Sequence, residues 1–208
     1  MYCASEVGVI KRLSAGLTVL LLAGCGGMPL HGSANSSVIP LRWKPTNNFA
    51  QAEAIELTGH RNARLRVEVN DDREDPGFIG RNSEKLPPRR VTTPDNVAAF
   101  VNVHLKQLMS DAGVIDVENA SNVILKAEIQ QFFVEETEVY RGDVRLKVTL
   151  IDSKGNSIWT GLTIGTSIRS GRSFSAENYY ESLSNSLVDA VHNLLDSETF
   201  RAALAEAS

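Results

Sequence analysis

Cysteine is almost missing from this chain. There are two in 208 residues, Cys3 and Cys25, and the sequence beyond position 25 carries no thiol. That stretch cannot close a disulfide in an oxidising compartment. It cannot supply a cysteine nucleophile or cysteine-ligated zinc. An excess of positive charge is missing too: Lys plus Arg number 21 against 25 for Asp plus Glu, a formal net charge of −4. A mildly acidic chain has no global field to draw nucleic acid, which excludes non-specific DNA binding. No P-loop, G-x-S-x-G elbow or H-E-x-x-H helix occurs, and Gly77-Phe78-Ile79-Gly80 is too short for a dinucleotide fingerprint. His31, His60, His104 and His192 share no metal-ligand spacing. The sequence therefore predicts no catalytic residue, no metal and no cofactor. With 42% apolar and 22% charged residues it fits one ordinary globular domain.

The first 24 residues read as an address. Lys11 and Arg12 precede an uncharged, mostly apolar run, Leu13 to Gly24, of 12 residues. A hydrocarbon core of about 30 Å needs roughly 20 helical residues, so the run is too short to span. It has the length of a secretory h-region. Leu22-Ala23-Gly24-Cys25 resembles the bacterial lipobox. In such signals the peptide is cut before the cysteine, which takes a diacylglycerol and then a further acyl chain. The resemblance implies that Cys25 is the lipidated first residue of the mature protein. One acyl chain binds a membrane marginally, whereas two or three hold firmly. Gly26, rather than aspartate, implies by the same resemblance an outer-membrane destination facing the periplasm. The predicted domains are 1–24 signal peptide, 25–37 lipidated cysteine with a Gly/Ser/Asn-rich tether, and 38–208 a single periplasmic domain.

Within that domain Ile39, Leu41 and Trp43 alternate, predicting a short edge strand, the only place Pro40 is tolerated. Leu65, Val67 and Val69 alternate with Arg64, Arg66 and Glu68, the pattern of a half-buried strand. Asp71 to Arg90 reads as a charged loop. Thr93-Pro94 predicts a helix start with threonine as N-cap, running on an apolar stripe of Val97, Val101, Leu105, Leu108 and Ala112 to a stop at Gly113. Three long strands follow. One carries Val123, Leu125, Ala127 and Ile129 on one face. The next carries Val144, Leu146, Val148 and Leu150. The third carries Ile158, Leu162 and Ile164, with Gly161 and Gly165 opposite them marking bulges or a close backbone approach. Ser175 and Ser197 precede two closing helices. The order β-α-β-β-β-α predicts an α+β two-layer sandwich, mainly antiparallel, with helices on one face and the other left open.

Val69-Asn70-Asp71-Asp72-Arg73, then Ile79-Gly80-Arg81, then a capped helix ending in glycine, three strands and a helix closing on a phenylalanine form an ordered set. Together with the lipobox, it resembles the YajG-type bacterial lipoproteins over residues 38–204. That family implies a membrane-anchored periplasmic domain and supplies no catalytic residues. A more distant resemblance is to auxiliary lipoproteins of lipid-transporting ABC systems.

Asp71, Asp72, Glu74 and Asp75 offer oxygen ligands of the kind a hard cation takes, but Arg73 sits among them and is better placed to clamp Asp71. Asp71, Arg73 and Gly80 are thus read as a structural motif. Phe132 or Phe133 must face out of its strand; Phe132 on the open face is either a contact for a partner or lipid or covered by the 71–90 loop. The sequence reading is a non-enzymatic, lipid-anchored accessory or assembly component that binds another envelope protein. The alternative is a lipid or glycan carrier with a groove between helix and sheet.

Overall fold

The computed structural model describes residues 36–46, 64–84, 86–116, 121–171 and 174–207. The predicted signal peptide, Cys25 and the tether up to residue 35 lie outside the described residues. Among the described residues no helix is long and apolar enough to cross a membrane.

The chain builds one open eight-stranded mixed sheet. Its axis is β6 (Val123–Glu136). Along one side β6 pairs antiparallel with β7 (Val139–Asp152), which pairs antiparallel with β8 (Ser157–Ser170). Along the other side two strands lie end to end. β2 (Arg64–Asp71) runs parallel to Val123–Ile129, and β3 (Phe78–Asn82) runs parallel to Val134–Glu136. Outside β2 lies β5 (Ile115–Asp116). Outside β3 lie β4 (Arg89–Thr92) and then β1 (Ser36–Val38). The three long antiparallel strands match the sequence reading. The parallel pairs do not appear in it, because β3 and β4 are short and embedded in the charged stretch read as loop.

Helices α1 (Val97–Asp111), α2 (Ala176–Asp196) and α3 (Glu198–Glu206) pack on one face. α1 starts three residues later than Thr93-Pro94 suggests. Asn96 is its cap, with Oδ1 accepting from Ala99 N at 2.9 Å, while Thr93 Oγ1 holds the preceding turn through Asp95 N. Gly113, at φ +85°, closes α1 in the left-handed conformation that glycine adopts freely. Ser197 caps α3 through Phe200 N, whereas Ser175 makes no side-chain cap bond to α2. Between the layers Leu65, Leu105, Met109, Leu125, Leu146 and Leu187 are fully buried. Each such side chain contributes about 1.5–3 kcal/mol.

Three departures from simple alternation shape the molecule. First, a bulge between Ile129 and Gln131 adds a residue to β6. Inward positions are odd before it (Val123, Leu125, Ala127, Ile129) and even after it (Phe132, Val134, Glu136). A one-residue slip exchanges faces. Phe132 is therefore fully buried beneath α1, 6.0 Å from Phe100, and its predicted outward role is overturned. Phe133 is the residue that turns out, edge-on to Phe78.

Second, Ile39 to Thr46 is not a strand. It is an extended strap over the helices. Leu41 N donates to Asp95 Oδ2, Lys44 N to Ser184 Oγ and Thr46 N to Asn185 Oδ1. This strap covers the polar side of α2 and explains why Ser184 and Asn185 are buried.

Third, β8 is inverted. Its aliphatic residues face away from the helices, while Trp159, Gly161, Thr163, Gly165 and Ser167 lie on the helix side, Trp159 edge-on to Phe200 of α3. A Cβ built on Gly165 would lie 2.7 Å from Ala190 Cα and closer still to Ser186 O. One on Gly142 of β7 would lie 2.7 Å from Ser182 O. The helix backbone thus rests directly on glycines. Thr163 Oγ1 donates to Ala190 O at 2.5 Å and Ser167 Oγ to Ser182 O at 2.8 Å.

Candidate functional site

Two clusters of buried polar groups hold the fold. Where β2 ends and β3 has not begun, the edge of β6 is left without a neighbour, and Arg73 fills that gap. Its Nη1 donates to the carbonyls of Phe78 (3.1 Å) and Phe132 (3.2 Å). Its Nε and Nη2 grip both oxygens of Asp71 at 2.8 and 2.6 Å, and Nη2 also reaches Pro76 O. Both side chains are only 9% exposed. Planar, forked guanidinium geometry suits this work, which an ammonium cannot copy. Asp75 is taken by Arg90, whose guanidinium lies 4.0 Å over the Phe78 ring. The acidic loop is thus cross-linked by its own arginines. Gly80, the third residue of the predicted motif, serves a different contact. A Cβ there would lie 2.6 Å from Tyr179 Cε1, so β3 passes directly against that ring.

Sequence reasoning missed a second buried polar cluster. Glu136 is fully buried and accepts hydrogen bonds from Tyr140 and Tyr179 hydroxyls, each at 2.7 Å. Burial is the main cause that pushes the Tyr140 hydroxyl up to about 12, and burial also raises Tyr179. No sequence signal marked it, because the bulge that turns Glu136 inward shows only in the pairing of β6 with β7. Nearby, Lys44 of the strap pairs with Glu177 and Glu181, and Glu181 also pairs with Arg169. On the other flank Trp43 stacks on His104, centroids 4.0 Å apart, and burial pulls the His104 pKa below its ordinary 6.5.

The solvent face of the sheet is different. β8 carries Leu162 at 55%, Ile164 at 40%, Ile168 at 69% and Ile158 at 37% exposure. The neighbouring strand places Lys147 opposite Leu162, Arg145 opposite Ile164 and Arg141 opposite Ile168. Lys147 pairs with Glu128 and Arg145 with Asp143, both at 2.7 Å. The result is an apolar stripe bordered by a row of cations.

β8 is also an edge: among the described residues only β7 pairs with it. Two side chains of α2 reach round to the open side. Asp189 Oδ2 accepts from Thr166 N at 2.8 Å, and Asn193 Nδ2 donates to Ile164 O at 2.9 Å. They cover two backbone groups of a strand 14 residues long. A long edge carrying exposed apolar side chains is a template for association. This stripe was legible as a run of apolar residues, but not as an outward one. Only the glycines on the alternate positions hinted that the helix lay on their side.

No protein-family model matches the chain, and no curated protein matches it. Solved structures do. A Xanthomonas campestris protein of family DUF330 aligns over 83% of this chain and 99% of its own, at 11% identity and a TM-score of 0.52. A candidate lipoprotein from Caulobacter crescentus aligns over 72% and 92%, at 10% identity and a TM-score of 0.42. At these identities the shared property is the fold: the chain has an α+β architecture similar to that of the DUF330 protein.

Proposed function

We propose that this chain is a lipid-anchored, non-enzymatic envelope protein that binds another envelope component through the solvent face of β8. One observation carries the reading. The strand that faces α2 with glycine, serine and threonine presents Leu162, Ile164 and Ile168 to solvent. These side chains are about half exposed, so leaving each as it is forgoes about half of the roughly 1.5–3 kcal/mol of full burial. An exposed apolar strip of this kind, interrupted by Thr166, fits an interaction surface. The Leu22-Ala23-Gly24-Cys25 sequence supports anchoring through Cys25, and Gly26 supports an outer-membrane location facing the periplasm.

The test is a mild crosslink and pull-down from intact envelopes. It compares the unaltered chain with Cys25→Ala and with the double variant Leu162→Lys, Ile164→Lys. A discrete partner that is lost in both variants supports the proposal. A partner retained by the double lysine variant removes β8 from the binding surface. A partner retained by Cys25→Ala removes the anchor from the account.

A further inference from the structure

We infer that the edge of β8 is occupied by the β8 edge of a second copy of this chain. This rests on the reading of β8 as the contact surface and names the partner of that edge. The observation is a palindrome. From Ile158 to Ile168 the sequence is I-W-T-G-L-T-I-G-T-S-I. Read outward from Thr163, each solvent-facing residue meets its own kind. Leu162 mirrors Ile164, Thr160 mirrors Thr166, and Ile158 mirrors Ile168. On the helix-facing side Gly161 mirrors Gly165.

A two-fold axis beside Thr163 would therefore pair the two strands antiparallel, with apolar opposite apolar and threonine opposite threonine. The backbone parity agrees. Thr166 N and Ile164 O point to the open edge, since Asp189 and Asn193 reach them there. The even-numbered residues thus carry both the outward peptide groups and the solvent-facing side chains. In the two-fold register Leu162 meets Ile164 and Thr160 meets Thr166 as mutually hydrogen-bonded pairs, the geometry an antiparallel ladder requires. Cross-strand pairs of this kind stabilise an antiparallel ladder.

The size of the contact sets its strength. A bulge at Ile158 ends the regular ladder there, so the nine paired residues from Trp159 to Ser167 span about 27 Å at about 3.4 Å per residue. With a sheet about 10 Å thick, this covers about 270 Å² of each copy, or about 540 Å² in all. That is below the roughly 1,200–2,000 Å² of a stable interface. It nevertheless offers about eight backbone hydrogen bonds, close to the number in an interface of standard size. The pairing is accordingly weak between free copies and gains when both are confined to one membrane, where the second contact is made at high effective concentration. Asp189 and Asn193 act as competitors: each occupies a backbone group that the partner strand would use, so pairing requires both side chains to swing away.

The experiment uses the full chain in phosphatidylethanolamine–phosphatidylglycerol vesicles, with Thr160→Cys and Thr166→Cys variants oxidised singly and as an equimolar mixture. The unsubstituted chain sets the background. In the inferred register positions 160 and 166 are directly opposite, whereas two residues 160 lie about 20 Å apart at about 3.4 Å per residue. The mixture should give several-fold more disulfide dimer than either variant alone. Adding Asp189→Ala should raise the yield, and adding Leu162→Lys with Ile164→Lys should abolish it.

A mixture that crosslinks no better than the single variants overturns the inference, as does a yield lowered by Asp189→Ala. If the crosslink fails while the double lysine variant still loses its envelope partner, the pairing falls and the proposed function stands. If the crosslink forms but the pull-down yields only this chain, the pairing stands and the second component falls.

Discussion

Adding one methyl group at Gly165 is the sharpest test of how α2 is seated. A Cβ at this position would sit 2.7 Å from Ala190 Cα, where ordinary contact begins near 3.4 Å, and closer still to Ser186 O and Ala190 N. All three atoms belong to helix backbone, so no side chain can rotate out of the way. The helix must lift, which breaks the bonds from Thr163 Oγ1 to Ala190 O and from Ser167 Oγ to Ser182 O. Overpacking costs about 1–3 kcal/mol, and two lost buried hydrogen bonds add about 1 kcal/mol each. Gly165→Ala should therefore destabilise the domain by about 3–5 kcal/mol. At about 2–4 °C per kcal/mol for a chain of this size, Tm should fall by roughly 10 °C. The control is Gly155→Ala in the β7–β8 turn, where nothing lies within 4 Å and only the φ of +85° is strained. It should cost about 1 kcal/mol. Chemical denaturation of the two variants measures the difference. A Gly165→Ala variant no less stable than Gly155→Ala would refute the close packing of helix on sheet.

Three further outcomes follow from the interior. Arg73→Ala strands the Asp71 carboxylate and opens the gap between β2 and β3, so it should cost about 3–5 kcal/mol. Arg73→Lys should recover little of this, because an ammonium cannot span the carboxylate and three carbonyls; urea unfolding measures both. Glu136→Leu leaves two buried tyrosine hydroxyls without their acceptor, at about 1–3 kcal/mol each, and adding Tyr140→Phe with Tyr179→Phe should restore part of the loss. Because the Tyr140 pKa is raised from 10.0 to about 12, its contribution is present below pH 10 and fades as pH rises toward 12, visible in alkaline melts. His104 has the opposite sign of dependence on acid. Its folded pKa lies below the ordinary 6.5, so the unfolded chain binds the proton first. Stability should fall as pH drops below 6.5 and level off below the folded pKa, and His104→Phe should flatten that limb of a Tm–pH curve.

The long antiparallel strands, both long helices and the glycine stop at Gly113 were readable because each rests on a local period or a local backbone requirement. What escaped the sequence depends on partners distant along the chain. The strap from Ile39 to Thr46 alternates like a strand, and only its bonds to Ser184 and Asn185, some 140 residues away, turn it into a cover for α2. Phe132 was misplaced by a single bulge residue, which leaves no composition signal and reverses every face after it. In β8 the apolar residues are plain, but burial patterns assume that apolar means inward. The inversion is imposed by α2, which needs Gly142, Gly165 and Ser167 to approach the sheet. Arg73 beside Asp71 was legible as a local clamp. Its larger task, filling the space between two end-to-end strands, required knowing that β2 and β3 share one edge of β6.

The most direct measurement places a photoreactive amino acid at position 162, on the solvent face of β8, and at position 103 on α1, where Val103 is 60% exposed. Intact envelopes are irradiated and the adducts identified. The expected result is a discrete adduct from position 162 and none from position 103. Adducts from position 103 alone would contradict it and move the contact surface to the helical side of the molecule.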